Sequence, residues 1–115
     1  MVRCYSAAMP RRQSTCPELW AISDARNDAA LARALARLPR GSGLVFRHYH
    51  LDAEARSRRF AQLARIARLR GHTVVLAGDA RSARHWRAHG AYGAPATLSG
   101  RPACLRLVTV HSLRE

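Results

Sequence analysis

The sequence contains no lysine: all 20 of its basic residues are arginine. Schiff-base chemistry requires a lysine amine, and so does the lysine-containing phosphate loop, so both are excluded. Acidic residues are scarce as well, 7 in 115, which leaves a net charge of +13. Aromatic residues make up only 6%, and the arginines are spread along the chain rather than gathered in a tail. That pattern predicts a basic surface that attracts polyanions without sequence preference, not a dedicated nucleic-acid module. Abundant alanine and arginine without lysine also fits a bias in codon composition. The three cysteines, Cys4, Cys16 and Cys104, are odd in number and lack metal-type spacing, which suits free thiols in a reducing cytoplasm. No apolar run approaches the roughly 18 residues of a membrane helix, so no membrane partner is expected.

What is present is enough for one packed domain. A hydrophobic fraction of 48% in 115 residues supports a core and argues against wholesale disorder. Residues 1–17 carry Arg3, Arg11 and Arg12 with no acid and no apolar centre, and read as a flexible N-terminal extension. Residues 18–115 read as the domain.

From Glu18 the pattern becomes regular. "ELWAISD" is a short strand ending in a polar residue. "DAALARALARLPRG" follows as a helix, with Leu31, Leu35 and Leu38 at helical spacing and Pro39 and Gly41 to stop it. "GLVFRHYHL" is a second strand, with Leu44, Phe46 and His48 on one face and Val45, Arg47 and Tyr49 on the other. Asp52 caps a long helix that runs to Arg70 and ends at Gly71. "HTVVLAGD" is a third strand, "ARSARHWRAHG" a short helix with Trp86 turned inward, "GAYGA" a very short fourth strand, and "CLRLVTVHS" a fifth. Strands alternating with helices predict an α/β fold with a parallel sheet and right-handed crossovers. In such folds ligands bind at the carboxyl ends of the strands, where this chain carries Asp24, Tyr49, His50, Asp79 and His111. Two histidine pairs, His48 with His50 and His85 with His89, share a face by spacing, but no acid or thiol accompanies either at ligand distance in the sequence.

These segments resemble the thiamine-phosphate synthase family, which includes the TenI-type thiazole tautomerases. "LWAISD" is similar to the family's opening strand L-Y-L-V-T-D, and "GLVFRHYH" resembles its second-strand Q-L-R-x-K. "VVLAGDARSA" resembles the third-strand I-I-N-D segment, "HGAYG" stands in the place of A-D-G-V-H, and "TVHSLRE" resembles S-x-H-S-x-x-E on strand five. The match runs from Glu18 to Glu115 in the family's order. The resemblance implies a (β/α) barrel of the TIM type, a fold of about 250 residues and eight strands. Ser112 and Glu115 have the spacing of a capping box, so the sequence stops where a fifth helix is expected to open. A barrel truncated after about strand five is the expectation, with open sheet edges through which copies of the chain can pair.

The resemblance further implies condensation of a pyrimidine methyl pyrophosphate with a thiazole phosphate, with phosphate and pyrophosphate esters as partners and Mg²⁺ as cofactor. Arg47 matches the arginine of Q-L-R-x-K, while Val45 and Tyr49 replace the flanking glutamine and lysine. Asp79 matches the metal-binding aspartate, beside Gly78 in place of asparagine; it also stands where it would cap the following helix. His111 and Ser112 match the strand-five pair, in which the tautomerase branch uses the histidine for proton transfer. The expected site is therefore Arg47, Tyr49 and Asp79 for substrate, Asp79 for metal, and His111 with Ser112 for catalysis. A thiazole tautomerase and a non-catalytic half-barrel are the alternatives.

Overall fold

A computed structural model describes residues 2–6, 16–98 and 104–109. The elements are β1 (Val2–Ser6), β2 (Trp20–Ile22), α1 (Asp28–Arg37), β3 (Gly43–Phe46), α2 (Ala53–Leu69), β4 (Thr73–Ala77), α3 (Ala80–His85), β5 (Gly90–Gly93), α4 (Pro95–Leu98) and β6 (Leu105–Thr109). The sheet is open, in the order β1-β6-β5-β4-β3-β2. Its five strands β2 to β6 are parallel and alternate with helices, while β1 runs antiparallel to β6 from Val2 opposite Thr109 to Ser6 opposite Leu105. Residues 2–6 thus form an element within the stretch that the sequence marks as an extension. The edge of β6 offers unpaired backbone groups, and a segment holding Val2, Cys4 and Tyr5 is a suitable strand to satisfy them.

Two compact units divide within β4, one spanning Pro17–Val74 and the other running from Val75 onward together with β1. In the first, β2 and β3 pair from Trp20 opposite Gly43 to Ile22 opposite Val45, and Thr73 N–H donates to Ser42 C=O at 2.9 Å to start β4. Leu31 and Leu35 of α1, Leu44 and Phe46 of β3, and Phe60, Leu63, Ala64 and Ala67 of α2 form its core, each buried. The apolar spacing on both helices therefore does what the sequence predicts, except that Leu38 lies past the end of α1 in extended backbone and is half-buried. Helix α2 opens with the Asp52 carboxylate accepting Ala55 N–H at 2.8 Å and closes at Gly71, whose φ of +71° is costly for any residue with a Cβ. Asp52→Ala is expected to cost about 1 kcal/mol, the usual value of such a cap, read as a small fall in the urea midpoint.

In the second unit, β4, β5 and β6 pair in parallel around Val75, Leu76, Ala91 and Leu107, and α3 and α4 contribute buried Ala80, Ala83 and Leu98. Helix α3 is shorter than the sequence predicts. It ends at His85, and Arg87 adopts a φ of +59° that turns the chain out of the helix. His85 and His89 consequently do not share a helix face, and Trp86, expected to pack inward, is half-buried. Residues 95–98, which the sequence leaves as a turn, form the short α4.

Candidate functional site: the carboxyl end of β3

Strand β3 ends at Phe46, and the next four residues, Arg47 to His50, turn away from the sheet. The alternation predicted for this stretch persists through the turn. The Phe46 ring stacks on the His48 ring with centroids 4.6 Å apart and meets Phe60 of α2 edge-on at 5.3 Å. That face of β3 is therefore the one covered by helix. Arg47 belongs to the opposite face, where its guanidinium lies over the Tyr49 ring at 5.5 Å. Arg56, from the first turn of α2, completes the group: its Nε donates to Arg47 C=O at 3.1 Å, and its guanidinium lies 5.7 Å from the Tyr49 ring and 5.6 Å from the Phe46 ring. Burial pushes the Arg56 guanidinium below the ordinary arginine range, an effect offset in part electrostatically by Tyr49. Tyr49 itself is 63% exposed. The Nε of Arg47 is buried and has no protein hydrogen-bond partner among the described residues. Two guanidinium groups thus lie against one tyrosine ring in this turn, and planar guanidinium groups suit an anion with several oxygens.

Beneath this surface lies a polar chain that the sequence does not reveal. Ser23, just past β2, is fully buried and lies 2.7 Å from Nδ1 of His48, and the other ring nitrogen lies 2.5 Å from Asp28 Oδ1 at the start of α1. Arg59 of α2 donates to the same carboxylate oxygen and to Asp28 C=O, both at 2.7 Å. The hydrogen bond from His48, followed by the hydrogen bond and charge of Arg59, holds the Asp28 carboxyl below the usual carboxylate range. Serine, histidine and aspartate in line suggest a nucleophile, but the contacts exclude it. Ser23 has no exposure to solvent, and its Oγ already accepts Arg47 N–H at 2.8 Å. A substrate carbonyl has no path to that oxygen. The role of the chain is positional.

Of the expected site residues, Arg47 and Tyr49 are brought together. Asp79 is exposed and acts as the N-cap of α3, accepting Ser82 N–H at 2.7 Å, a bond that lowers its pKa. His111 and Ser112 lie outside the described residues. Val45, at the position of the family's glutamine, is buried and apolar. His48 and His50 have rings 5.0 Å apart, but both nitrogens of His48 are engaged by Ser23 and Asp28, so the pair is not a metal site. The cofactor implied by the resemblance, Mg²⁺, meets a poor donor set. Asp79 offers one carboxylate, already committed to a cap, and among the described residues no three His, Cys, Asp or Glu side chains converge. These residues do not fit an Mg²⁺ site held by the protein. Among the described residues no helix is long and apolar enough to cross a membrane.

No family model matches this chain, and no curated protein or solved structure matches it. The sequence reasoning missed Arg56, Ser23 and Asp28. Arg56 was one arginine among 20, and only the turn after β3 shows which of them approaches Arg47.

Proposed function

We propose that this chain is a thiamine-phosphate synthase-like protein of the (β/α) barrel type, acting on phosphate and pyrophosphate esters. The observation that carries the reading is the Arg47 guanidinium, aligned with the family's anion-binding arginine, with its Nε buried and unpartnered beside Tyr49 and Arg56. The strand order lends support. Strands β2 to β6 are neighbours in the order of the chain, without the reversal that marks a doubly wound sheet, and that winding is the one barrels use. In the proposed reaction the C–O bond of the pyrimidine methyl pyrophosphate breaks and pyrophosphate leaves with the electron pair. The thiazole nitrogen then forms the new C–N bond. Arg47 and Arg56 would neutralise charge on the departing pyrophosphate, a form of stabilisation that grows as the bond breaks. His111 and Ser112 are the proposed catalytic pair.

One observation favours the thiazole tautomerase as the second reading. Val45 and Tyr49 stand where a pyrophosphate clamp would have its glutamine and lysine, and Val45 is buried and apolar, whereas proton transfer needs no such clamp. Binding and turnover separate the two. Inorganic pyrophosphate is expected to bind the wild-type chain in calorimetry, and Arg47→Ala to weaken it about 10- to 100-fold, the range for a charge-assisted hydrogen bond. Thiamine phosphate formed from the two substrates supports the synthase, and isomerisation of the thiazole alone supports the tautomerase. Failure of wild type to bind pyrophosphate or phosphate at millimolar concentration would sink the anion-site reading.

A further inference from the structure

The backbone of Arg47 is held in an unusual way. The β2–β3 ladder ends with Ile22 opposite Val45 and Ser23 N–H donating to Val45 C=O at 2.9 Å, so Arg47 lies past the end of its ladder to β2. Side chains take over from the ladder. Arg47 N–H donates to Ser23 Oγ, and Arg47 C=O accepts from Arg56 Nε. The following residue, His48, adopts a φ of +35°, a region that few residues other than glycine and asparagine favour. A strained turn of this kind persists only where its surroundings over-determine it. Here they do: the His48 ring is clamped between Ser23 and Asp28 and stacked on Phe46.

We infer that Ser23 and His48 are positioning residues for the Arg47 anion site, an inference that rests on the functional reading above. Ser23 links the two halves of the device. Its oxygen receives the Arg47 amide, and its hydroxyl proton is then left for Nδ1 of His48. That assigns the remaining ring proton to Nε2, where it meets the Asp28 carboxylate. With the ring proton on Nε2, each of these contacts joins a donor to an acceptor. The charge of Asp28 is balanced by Arg59. Arg47 is thereby fixed at both its N–H and its C=O, so its backbone has little freedom to lose when an anion binds its guanidinium. Preorganisation of this sort strengthens binding with no new contact to the ligand.

The test compares wild type, Ser23→Ala, Ser23→Thr and Arg47→Ala in the full chain. ¹⁵N NMR of the wild type is expected to show His48 protonated at Nε2 and bare at Nδ1. Ser23→Ala is expected to speed hydrogen exchange of the Arg47 amide at least tenfold and to weaken inorganic pyrophosphate binding by roughly tenfold, while amides in the middle of α2 keep their protection. Ser23→Thr, which retains the hydroxyl, is expected to restore both. Should Ser23→Ala fail to fold, Ser23→Cys, isosteric with a poorer acceptor, is expected to show the same two changes. Binding that is lost in Arg47→Ala yet within twofold of wild type in Ser23→Ala overturns this inference alone. No pyrophosphate binding by wild type overturns the functional reading and this inference together.

Discussion

His48→Ala is expected to destabilise the protein by about 3 kcal/mol, enough to lower the melting temperature by on the order of 10–15 °C. The residue is fully buried, so deletion of its ring opens a cavity against Phe46 as well as removing two hydrogen bonds. Ser23 then keeps a buried hydroxyl whose proton has lost its acceptor, and an unsatisfied buried group costs more than a lost bond between satisfied ones. Asp28 suffers less, because Arg59 still donates to it. Alanine also inherits the left-handed backbone at this position, which it tolerates poorly. Asparagine accepts that conformation and brings a polar group, so His48→Asn is expected to fall between alanine and wild type. Equal melting temperatures for His48→Ala and wild type would contradict the account.

The same chain gives the protein an acid limit. Asp28 has a folded pKa below its ordinary value of 3.8, chiefly through the hydrogen bond from His48. A carboxyl whose pKa is depressed by folding contributes stability above its unfolded pKa and loses it as pH falls through the folded value. Urea midpoints are therefore expected to be level with pH above about 5 as far as this group is concerned, and to fall below about pH 4. In Asp28→Asn that acid-limb loss should shrink. Because the Asp28 side chain is 38% exposed, solvent screening keeps the effect modest.

Gly90→Ala is the second substitution expected to be severe, at about 2–3 kcal/mol, through a wholly different cause. A Cβ at Gly90 would stand 2.2 Å from Leu105 C=O oxygen and 2.8 Å from its carbonyl carbon. Gly90 and Leu105 are register partners in the parallel β5–β6 pair, so the obstacle is the backbone of the neighbouring strand and has no rotamer by which to step aside. The strands must separate or slip, and the buried contacts of Ala91 and Leu107 loosen with them. Gly43→Ala makes an instructive contrast. There the added carbon would meet the Trp20 ring, also at 2.2 Å, but that ring is a half-buried side chain on the edge strand β2. It can turn away at the cost of its hydrogen bond to Pro17 C=O. Gly43→Ala is accordingly expected to cost less than Gly90→Ala. Urea unfolding of both variants, with hydrogen exchange at β5 and β6, measures the difference. A larger loss in Gly43→Ala would show that the side chain is the stiffer obstacle.

Local signals were enough for much of the fold. Leu31 and Leu35 at helical spacing, Pro39 and Gly71 as stops, and Asp52 and Asp79 as caps each act within about one turn of themselves, so their meaning can be read from neighbouring residues. The alternation of strand and helix, and with it the parallel sheet, follows from the same short-range patterns. The contacts of Phe46 with His48 and of Arg47 with Tyr49 follow the two-residue spacing in the sequence, although β3 itself ends at Phe46. Tertiary structure decided the rest. Ser23 and His48 are 25 residues apart, His48 and Asp28 are 20, and Arg59 and Asp28 are 31. No local pattern records that four elements bring those groups into one line, since each contact depends on how β2, α1, β3 and α2 pack. It also took the fold to show that His48, a residue with ligand chemistry by spacing alone, is spent inside the protein. Short-range propensity specifies elements; desolvation and long-range packing decide which polar side chains remain available for chemistry.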